Sequence, residues 1–276
     1  MNTTKKNKTD SYPSFLALFL FSGILLYSVV VRAVLSLVVG ITLAPILGAQ
    51  TPDPAGDRPV SWKQLVPNIL NDQKQIWTLP VRAFQDHNWV PILGVSAVAA
   101  GLVAADPLDT GYFRRTSAFH GFNSVFSANN ATLATAIVPI SLYAVGLVRK
   151  DSYAKNTALL AGEAVADAEI LTTIFKGVDR RVRPQNLPAN TKFGDTWFES
   201  KLTNGGFPSG HTIAAFSVAT VMARRYRGHR WVPYAAYGAA LAIGFSRITL
   251  SAHFPSDVFM GAALGYAISR FSVLRQ

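Results

Sequence analysis

The chain has 276 residues, of which 50% are apolar and 15% are charged, and its formal net charge is +11 at pH 7. The apolar content and a mean hydropathy of +0.24 exclude a disordered chain, because disordered chains lack the apolar surface that offsets the entropy cost of ordering. The charged fraction is below the about 25% usual for a soluble domain, which indicates membrane contact or a large apolar core. The sequence has no cysteine, which excludes disulfides, thiolate nucleophiles and cysteine-ligated metal sites.

The excess of basic residues suits an anionic partner such as lipid headgroups, phosphorylated substrates or nucleic acid. The sequence carries no recognisable nucleic-acid-binding motif. Its basic residues cluster between apolar blocks, as in membrane proteins, and we therefore expect no nucleic-acid partner. Nothing in the sequence indicates the oligomeric state.

The N-terminal segment, residues 1–49, begins with lysines and continues as an apolar block from Phe15 to Ala49. Such a block is long enough to span a bilayer, and it also has the basic start and small terminal residue of a secretory signal. We expect a membrane anchor or a signal. Residues 50–88 are rich in proline and polar residues, and we predict a linker with one or two short amphipathic pieces, either at a membrane interface or as ordinary surface.

The remainder, residues 89–276, forms the predicted catalytic domain. Its apolar blocks are too long for typical strands and are rich in alanine and leucine, which favours helices. The fold is therefore predicted to be all-α, a bundle of about six core helices behind the N-terminal apolar segment. The blocks cover residues 89–105, 132–148, 157–175, 212–223, 231–249 and 258–269.

Two basic connections predict the orientation of these helices. Arg149, Lys150 and Lys155 flank one connection, and four arginines fill residues 224–230. The positive-inside rule puts both on the cytoplasmic side and segments 106–131, 176–211 and 247–257 outside. A single N-terminal span would conflict with this order, unless residues 15–49 form a hairpin, the chain starts outside, or the bundle is periplasmic and never enters lipid.

Three motifs carry the candidate chemistry, and each lies at the end of a predicted helix on the same side of the bundle. They are the segment KGVDRRVRP with Lys176 and Arg183, the segment PSGH with Ser209, Gly210 and His211, and a third segment with Arg247, His253 and Asp257. The cations of Lys176, Arg183 and Arg247 match phosphate oxygens.

The second and third motifs add a helix start and two imidazoles. Ser209 is placed to cap a helix whose first amides favour an anion, and Gly210 allows close backbone approach. Asp257 lies four residues beyond His253, where a carboxylate could fix one ring nitrogen and leave the other free to attack. His87, His120 and His229 have no ligand spacing, and Asp106 and Asp109 flank Pro107 in a predicted turn without assigned chemistry.

Together the motifs K-x-x-x-x-x-x-R-P, P-S-G-H and S-R-x-x-x-x-x-H-x-x-x-D resemble the signature of the type 2 phosphatidic-acid phosphatase superfamily, which includes bacterial acid phosphatases and vanadium haloperoxidases. The resemblance covers about residues 89–272. It implies a phosphohistidine intermediate on His253, orientation of that ring by Asp257, and proton transfer by His211. It also implies that Lys176, Arg183, Arg247, Ser209 and Gly210 hold the phosphoryl oxygens, with no metal and no cofactor required.

The resemblance predicts a metal-independent phosphatase for phosphomonoesters or diphosphates, a phosphoric-ester hydrolase. Lipid phosphates are the favoured substrates, with a membrane-associated chain and a site facing the periplasm or outside. The alternative is a soluble periplasmic acid phosphatase that acts on small phosphoesters. A vanadium haloperoxidase and a non-catalytic membrane protein are weaker alternatives, and the leaving group is not encoded in any readable motif.

Overall fold

A computed structural model describes residues 58–87, 89–187, 196–199 and 205–275, with only the backbone described at 108–110. The predicted anchor or signal at 1–49 lies outside these residues. The α-helices are α1 (Leu65–Gln85), α2 (Val90–Phe113), α3 (His120–Val125), α4 (Ala128–Val148), α5 (Ser152–Asp179), α6 (Gly210–Arg225), α7 (Trp231–Thr249) and α8 (Pro255–Ile268). A 3-10 turn at Pro184–Asn186 and a π-helical turn at Ser269–Val273 complete the described secondary structure.

The all-α prediction is confirmed, since the described residues contain helices and no strand. All six predicted helical blocks have a counterpart, namely α2 and α4 to α8. The bounds of α7 agree with its predicted block, whereas the others begin or end a few residues away. Caps explain part of this difference: the Asp151 side chain accepts from the amide of Ala154 at 3.0 Å and starts α5 before the apolar block.

The segment before the bundle differs from expectation. Residues 65–85 form one helix of 21 residues, where only one or two short pieces were predicted. Ile76 packs against the core of the bundle, and the rings of Trp77 and Phe175 stack with centroids 6.0 Å apart. Most of the other large apolar side chains of this helix are exposed, namely Val66, Leu70, Val81 and Phe84. The helix α1 also packs on α5 of the bundle. The division of the chain into a linker at 50–88 and a separate domain stays a prediction.

Two carboxylates of α5, Glu163 and Asp167, are fully buried. Arg58 donates to Glu163 and also pairs with Asp72 of α1 at 2.6 Å. Gln73 donates to Asp167 Oδ1 at 2.8 Å. The carboxylates therefore face the protein interior. This placement is expected, because exposing ionisable side chains to lipid would cost too much free energy.

Close packing of α6 against α8 sets the distance between two of the three motifs. A Cβ atom on Gly265 would lie 2.4 Å from the carbonyl oxygen of Ile213, and one on Gly261 would lie 2.9 Å from that of Ser209. Only glycine permits this approach. The backbone of α8 consequently lies directly against the first turns of α6.

Among the described residues, two helices are long and apolar enough to cross a membrane, at Val90–Pro107 in α2 and Ala128–Val148 in α4. Only 6% of the first segment and 28% of the second are buried in the protein. The predicted turn around Pro107 was wrong, because Asp106 and Pro107 lie inside α2. Asp106 is buried although most of the described side chains of this helix are exposed.

Candidate active site

The three motifs meet at one end of the bundle, where α5 ends, α6 begins, α7 ends and α8 begins. The two basic connections lie at the opposite end, and they contact each other there: Tyr153 donates to the carbonyl oxygen of Arg225, whose Nε donates to Thr157 at 3.0 Å. This arrangement follows from helices that alternate in direction and are joined by short connections. The separation of basic connections from the motif end matches the order predicted from the sequence.

His253 is the most enclosed of the motif imidazoles, with 3% of its surface exposed. Its Nδ1 atom lies 2.6 Å from the carbonyl oxygen of Gly206. A carbonyl oxygen can only accept, so Nδ1 carries the proton and a neutral ring has its lone pair on Nε2. Burial is the main cause that lowers the pKa of His253, and nearby Asp257 opposes this shift. Burial and the hydrogen bond to the carbonyl oxygen therefore favour the neutral ring.

Asp257 lies beside the His253 ring, but it is not the group that accepts the short hydrogen bond from that ring. Its Oδ2 atom lies 3.6 Å from His253 Nδ1 and accepts a hydrogen bond from the amide of Phe254 at 2.9 Å. Its Oδ1 atom accepts from Arg181 at 2.5 Å. The direct partner of His253 is thus the Gly206 carbonyl, while Asp257 supplies a fully buried negative charge beside the ring.

Gly206 holds this position through its backbone. Its amide donates to the carbonyl oxygen of Arg181 at 2.7 Å, which directs its own carbonyl toward His253. A Cβ at Gly206 would lie 3.1 Å from that Arg181 oxygen and 3.4 Å from Cγ of Arg183. Gly206 was not predicted from the sequence, although a glycine pair at 205–206, one residue before the second motif, was an available signal.

Lys176 and Arg183 bring the first motif to the start of α6. Lys176 Nζ lies 3.3 Å from the place that a Cβ on Gly210 would occupy. The pKa of Lys176 is lowered, first by burial and then by the charge of Arg183. Within the described part of the chain, the buried Nε of Arg183 has no hydrogen-bond partner. Two cations held this close together are suited to an anion between them.

Arg247 completes the cationic group from the end of α7, where it is 1% exposed. Its Nη2 donates to the carbonyl oxygen of Phe126, just before α4, and to Ser246 Oγ at 2.7 Å. These bonds fix the guanidinium and use part of its donor capacity. They also bring the N-terminus of α4 to the site, which no sequence motif indicated.

His211 lies in the first turn of α6 and faces the same N-terminus. Its Nε2 atom lies 3.1 Å from Thr132 Oγ1, and the ring forms a hydrogen bond with the backbone of Ala128. Burial is the main cause that lowers the pKa of His211 to about 4, and the charges of Arg247 and His253 lower it further. His211 is therefore neutral at pH 7 until negative charge enters the site.

Ser209 occupies the N-cap position of α6, as predicted, but its hydroxyl does not cap the helix. The hydroxyl accepts from Thr212 Oγ1 at 2.9 Å, and the Ser209 amide donates to the Asp257 carbonyl at 3.0 Å. These bonds connect the second motif with the third. The positive end of the α6 dipole points into the cationic group, where it favours an anion.

The geometry thus brings together five helix ends, three cations and two imidazoles around one small region. Such a region can bind a tetrahedral oxyanion and present a neutral imidazole nitrogen to it. The model of the PAP2 superfamily matches residues 157–276, which contain all three motifs.

The PAP2 match begins later than the resemblance at 89–272 that the sequence suggested, and it leaves α4 outside although α4 contacts His211. A lipid A 1-phosphatase of Porphyromonas gingivalis is 35% identical over 89 residues, which are 32% of this chain and 17% of that protein. A lipid A 1-phosphatase of Rhizobium etli is 33% identical over 99 residues, 35% of this chain and 40% of that protein. The chain therefore spans less than half the length of these relatives.

Among solved structures, the chain is similar to a transmembrane PAP2-type phosphatidylglycerolphosphate phosphatase from Bacillus subtilis. The TM-score is 0.39 with 21% sequence identity, and the match covers 75% of this chain and 92% of that one.

Proposed function

We propose that this protein is a phosphatase that removes phosphate from a lipid phosphate, with His253 as the nucleophile. The observation that carries the proposal is the hydrogen bond of 2.6 Å from His253 Nδ1 to the Gly206 carbonyl. That bond leaves Nε2 as the lone-pair nitrogen of a neutral ring. Lys176, Arg183 and Arg247 surround the place where a phosphoryl group would meet this nitrogen.

The reaction has two steps. His253 Nε2 attacks phosphorus and the bond to the leaving oxygen breaks, while a protonated His211 gives its proton to that oxygen. Water then attacks phosphorus and breaks the P–N bond, and His211 takes the proton of the water. The three cations and the start of α6 stabilise charge on the phosphoryl oxygens, which is the main requirement in phosphoryl transfer. These steps involve no metal.

A lipid substrate is supported by the surface beside the site. The apolar helices α2 and α4 are largely exposed, and Thr132, near the start of α4, lies next to His211. Exposed apolar helices of this length are typical of membrane contact, and two similar proteins are named lipid A 1-phosphatases. We infer a membrane-associated enzyme whose site lies on the side opposite the basic connections, which is the periplasmic or outer side.

The test uses purified full-length protein and measures phosphate release from short-chain phosphatidic acid and from p-nitrophenyl phosphate, with and without a chelator. We expect the lipid to be preferred and the chelator to have no effect. His253→Ala should abolish turnover but retain sulfate binding, whereas the control variant His87→Ala, at an exposed histidine, should be fully active. Retained turnover in His253→Ala would remove the proposed nucleophile, and preference for the soluble ester would favour a general acid phosphatase.

A further inference from the structure

A buried network of charges lies behind His253 and connects it to the apolar helix α2. Arg181 donates from Nη1 to Asp257 at 2.5 Å and from Nη2 to Asp106 at 2.6 Å. Arg181 is 1% exposed, Asp106 2% and Asp257 0%. Removing such charges from water is costly, so each depends on its partners.

The surroundings of Arg181 fix its guanidinium in one orientation. It lies between the rings of Trp197 and Phe254, with distances of 4.4 Å and 4.2 Å to the ring centroids. Ser256 accepts from Arg181 Nη1 at 2.7 Å and donates to Asp106 at 2.5 Å. The plane of the Arg181 guanidinium and both of its terminal nitrogens, Nη1 and Nη2, are therefore constrained.

Asp106 is the buried exception in an otherwise exposed helix. Among the α2 residues whose side chains are described, it is the one that is buried. α2 packs mainly on α8, the helix that begins next to His253. The Asp106 carboxylate also accepts from the amide of Ser256, at 3.3 Å. The apolar helix thus places one negative charge directly against the first turn of α8.

The balance of charge explains what this contact does to the site. Two buried carboxylates share Arg181, and without its cation they would repel each other. A displaced Asp257 would no longer hold the amide of Phe254, next to His253 in the chain, or oppose the charges around the ring. Asp106 in turn holds Arg181 in place, because it accepts the hydrogen bond from Nη2, the nitrogen that does not contact Asp257.

We propose that Arg181 and Asp106 are positioning residues for His253, which they control through Asp257 and the start of α8. This inference rests on the proposed function. It makes catalysis depend on the docking of α2, so the helix that is most exposed to a bilayer is coupled to the nucleophile. Neither residue touches the phosphoryl group.

The test measures kcat and KM for short-chain phosphatidic acid, together with the Kd for sulfate. Asp106→Asn keeps the size of the side chain and removes its charge; we expect kcat to fall about 100-fold, as for a small misplacement of a reacting group. KM and the sulfate Kd should change less than about threefold, because the three cations are untouched. The matched control is Asp72→Asn, which also removes a fully buried carboxylate from an arginine but lies in α1; its kcat should stay within about threefold of wild type.

A double variant tests whether Asp106 acts through Arg181. In an Arg181→Gln background, Asp106→Asn should cause no further loss of kcat, since the contact has already been removed. Should Asp106→Asn fail to fold, Ser256→Ala removes one link of the network with little change in volume, and we expect kcat to fall about fivefold or more.

The outcomes separate this inference from the proposed function. Wild-type kcat in Ser256→Ala and in any folded Asp106→Asn would overturn the positioning role and leave the phosphatase intact. Sulfate affinity that fell in parallel with kcat, or an equal loss of kcat in Asp72→Asn, would also overturn it, because the effect would then be general destabilisation. A wild-type protein that releases no phosphate would overturn the proposed function and this inference together.

Discussion

The protonation state of His211 should change when an anion binds in the site. In the free protein its pKa is lowered to about 4, mainly by burial and then by Arg247. At pH 6 the ring is therefore neutral in nearly all molecules. A bound anion shifts the pKa of His211 in the opposite direction, because it stabilises the protonated ring. One unit of negative charge about 4 Å from the ring contributes about 4 kcal/mol at an effective dielectric constant of 20. That energy is large enough to raise the pKa of His211 well above its value in the free protein when an anion is bound.

Anion binding at pH 6 should consequently take up close to one proton, and the uptake should vanish as the pH falls below about 4, where the free protein is already protonated. Sulfate is the suitable probe because its own charge stays constant between pH 5 and 8. Isothermal titration calorimetry in two buffers of different ionisation enthalpy gives the number of protons directly. The affinity for sulfate should rise as the pH falls from 8 toward 5.

Three variants decide the assignment. His211→Asn should lose most of the uptake, since it removes the titrating group, while His87→Asn and His253→Asn should retain it. If wild type takes up no proton at pH 6, or if His211→Asn takes up as many protons as wild type, His211 is not the group that is protonated when an anion binds.

Three further changes probe the fold and the anion site. Gly265→Ala forces a Cβ against a backbone carbonyl and should lower the free energy of unfolding by about 1–3 kcal/mol. The control Gly238→Ala has open space around its Cβ and should be neutral or stabilising. Chemical denaturation compares the two variants, and equal stability would contradict the packing of α6 on α8. Arg58→Met leaves two buried carboxylates without their cation and should cost about 3–5 kcal/mol, visible as a lower Tm. Lys176→Ala should weaken sulfate binding about tenfold and reduce its salt dependence, while Lys63→Ala should not; unchanged affinity in the first variant would place Lys176 outside the anion site.

The helices of the bundle were predictable because their signals are local. A long apolar block rich in alanine favours a helix wherever it lies, and Pro255 occupies the first position of α8 as its fixed φ angle suggests. The segment before the bundle was harder: α1 mixes polar and apolar residues and contains Pro80, so its helix depends on packing against α5 more than on its own composition.

The motif residues were recognisable from their types and spacing, but their contacts were not. Asp257 was expected to bind His253 directly because it lies one helical turn beyond it. In the structure, the Gly206 carbonyl, from a residue 47 positions earlier in the chain, takes that hydrogen bond. A backbone carbonyl has no side-chain signature, so none of the three motifs indicated it, and the neighbouring glycine pair was only an indirect signal.

The sequence by itself determined that the chain is helical, and it indicated which cations and imidazoles belong to one group, because helix propensity and motif spacing are local properties. Only the tertiary structure decided how those groups are held: Arg181 bridges two carboxylates, one of them 75 positions away on α2, where Asp106 lay in a predicted turn with no assigned chemistry. The physical reason is that a buried charge requires a partner, and that partner can come from any element that folding brings close to it.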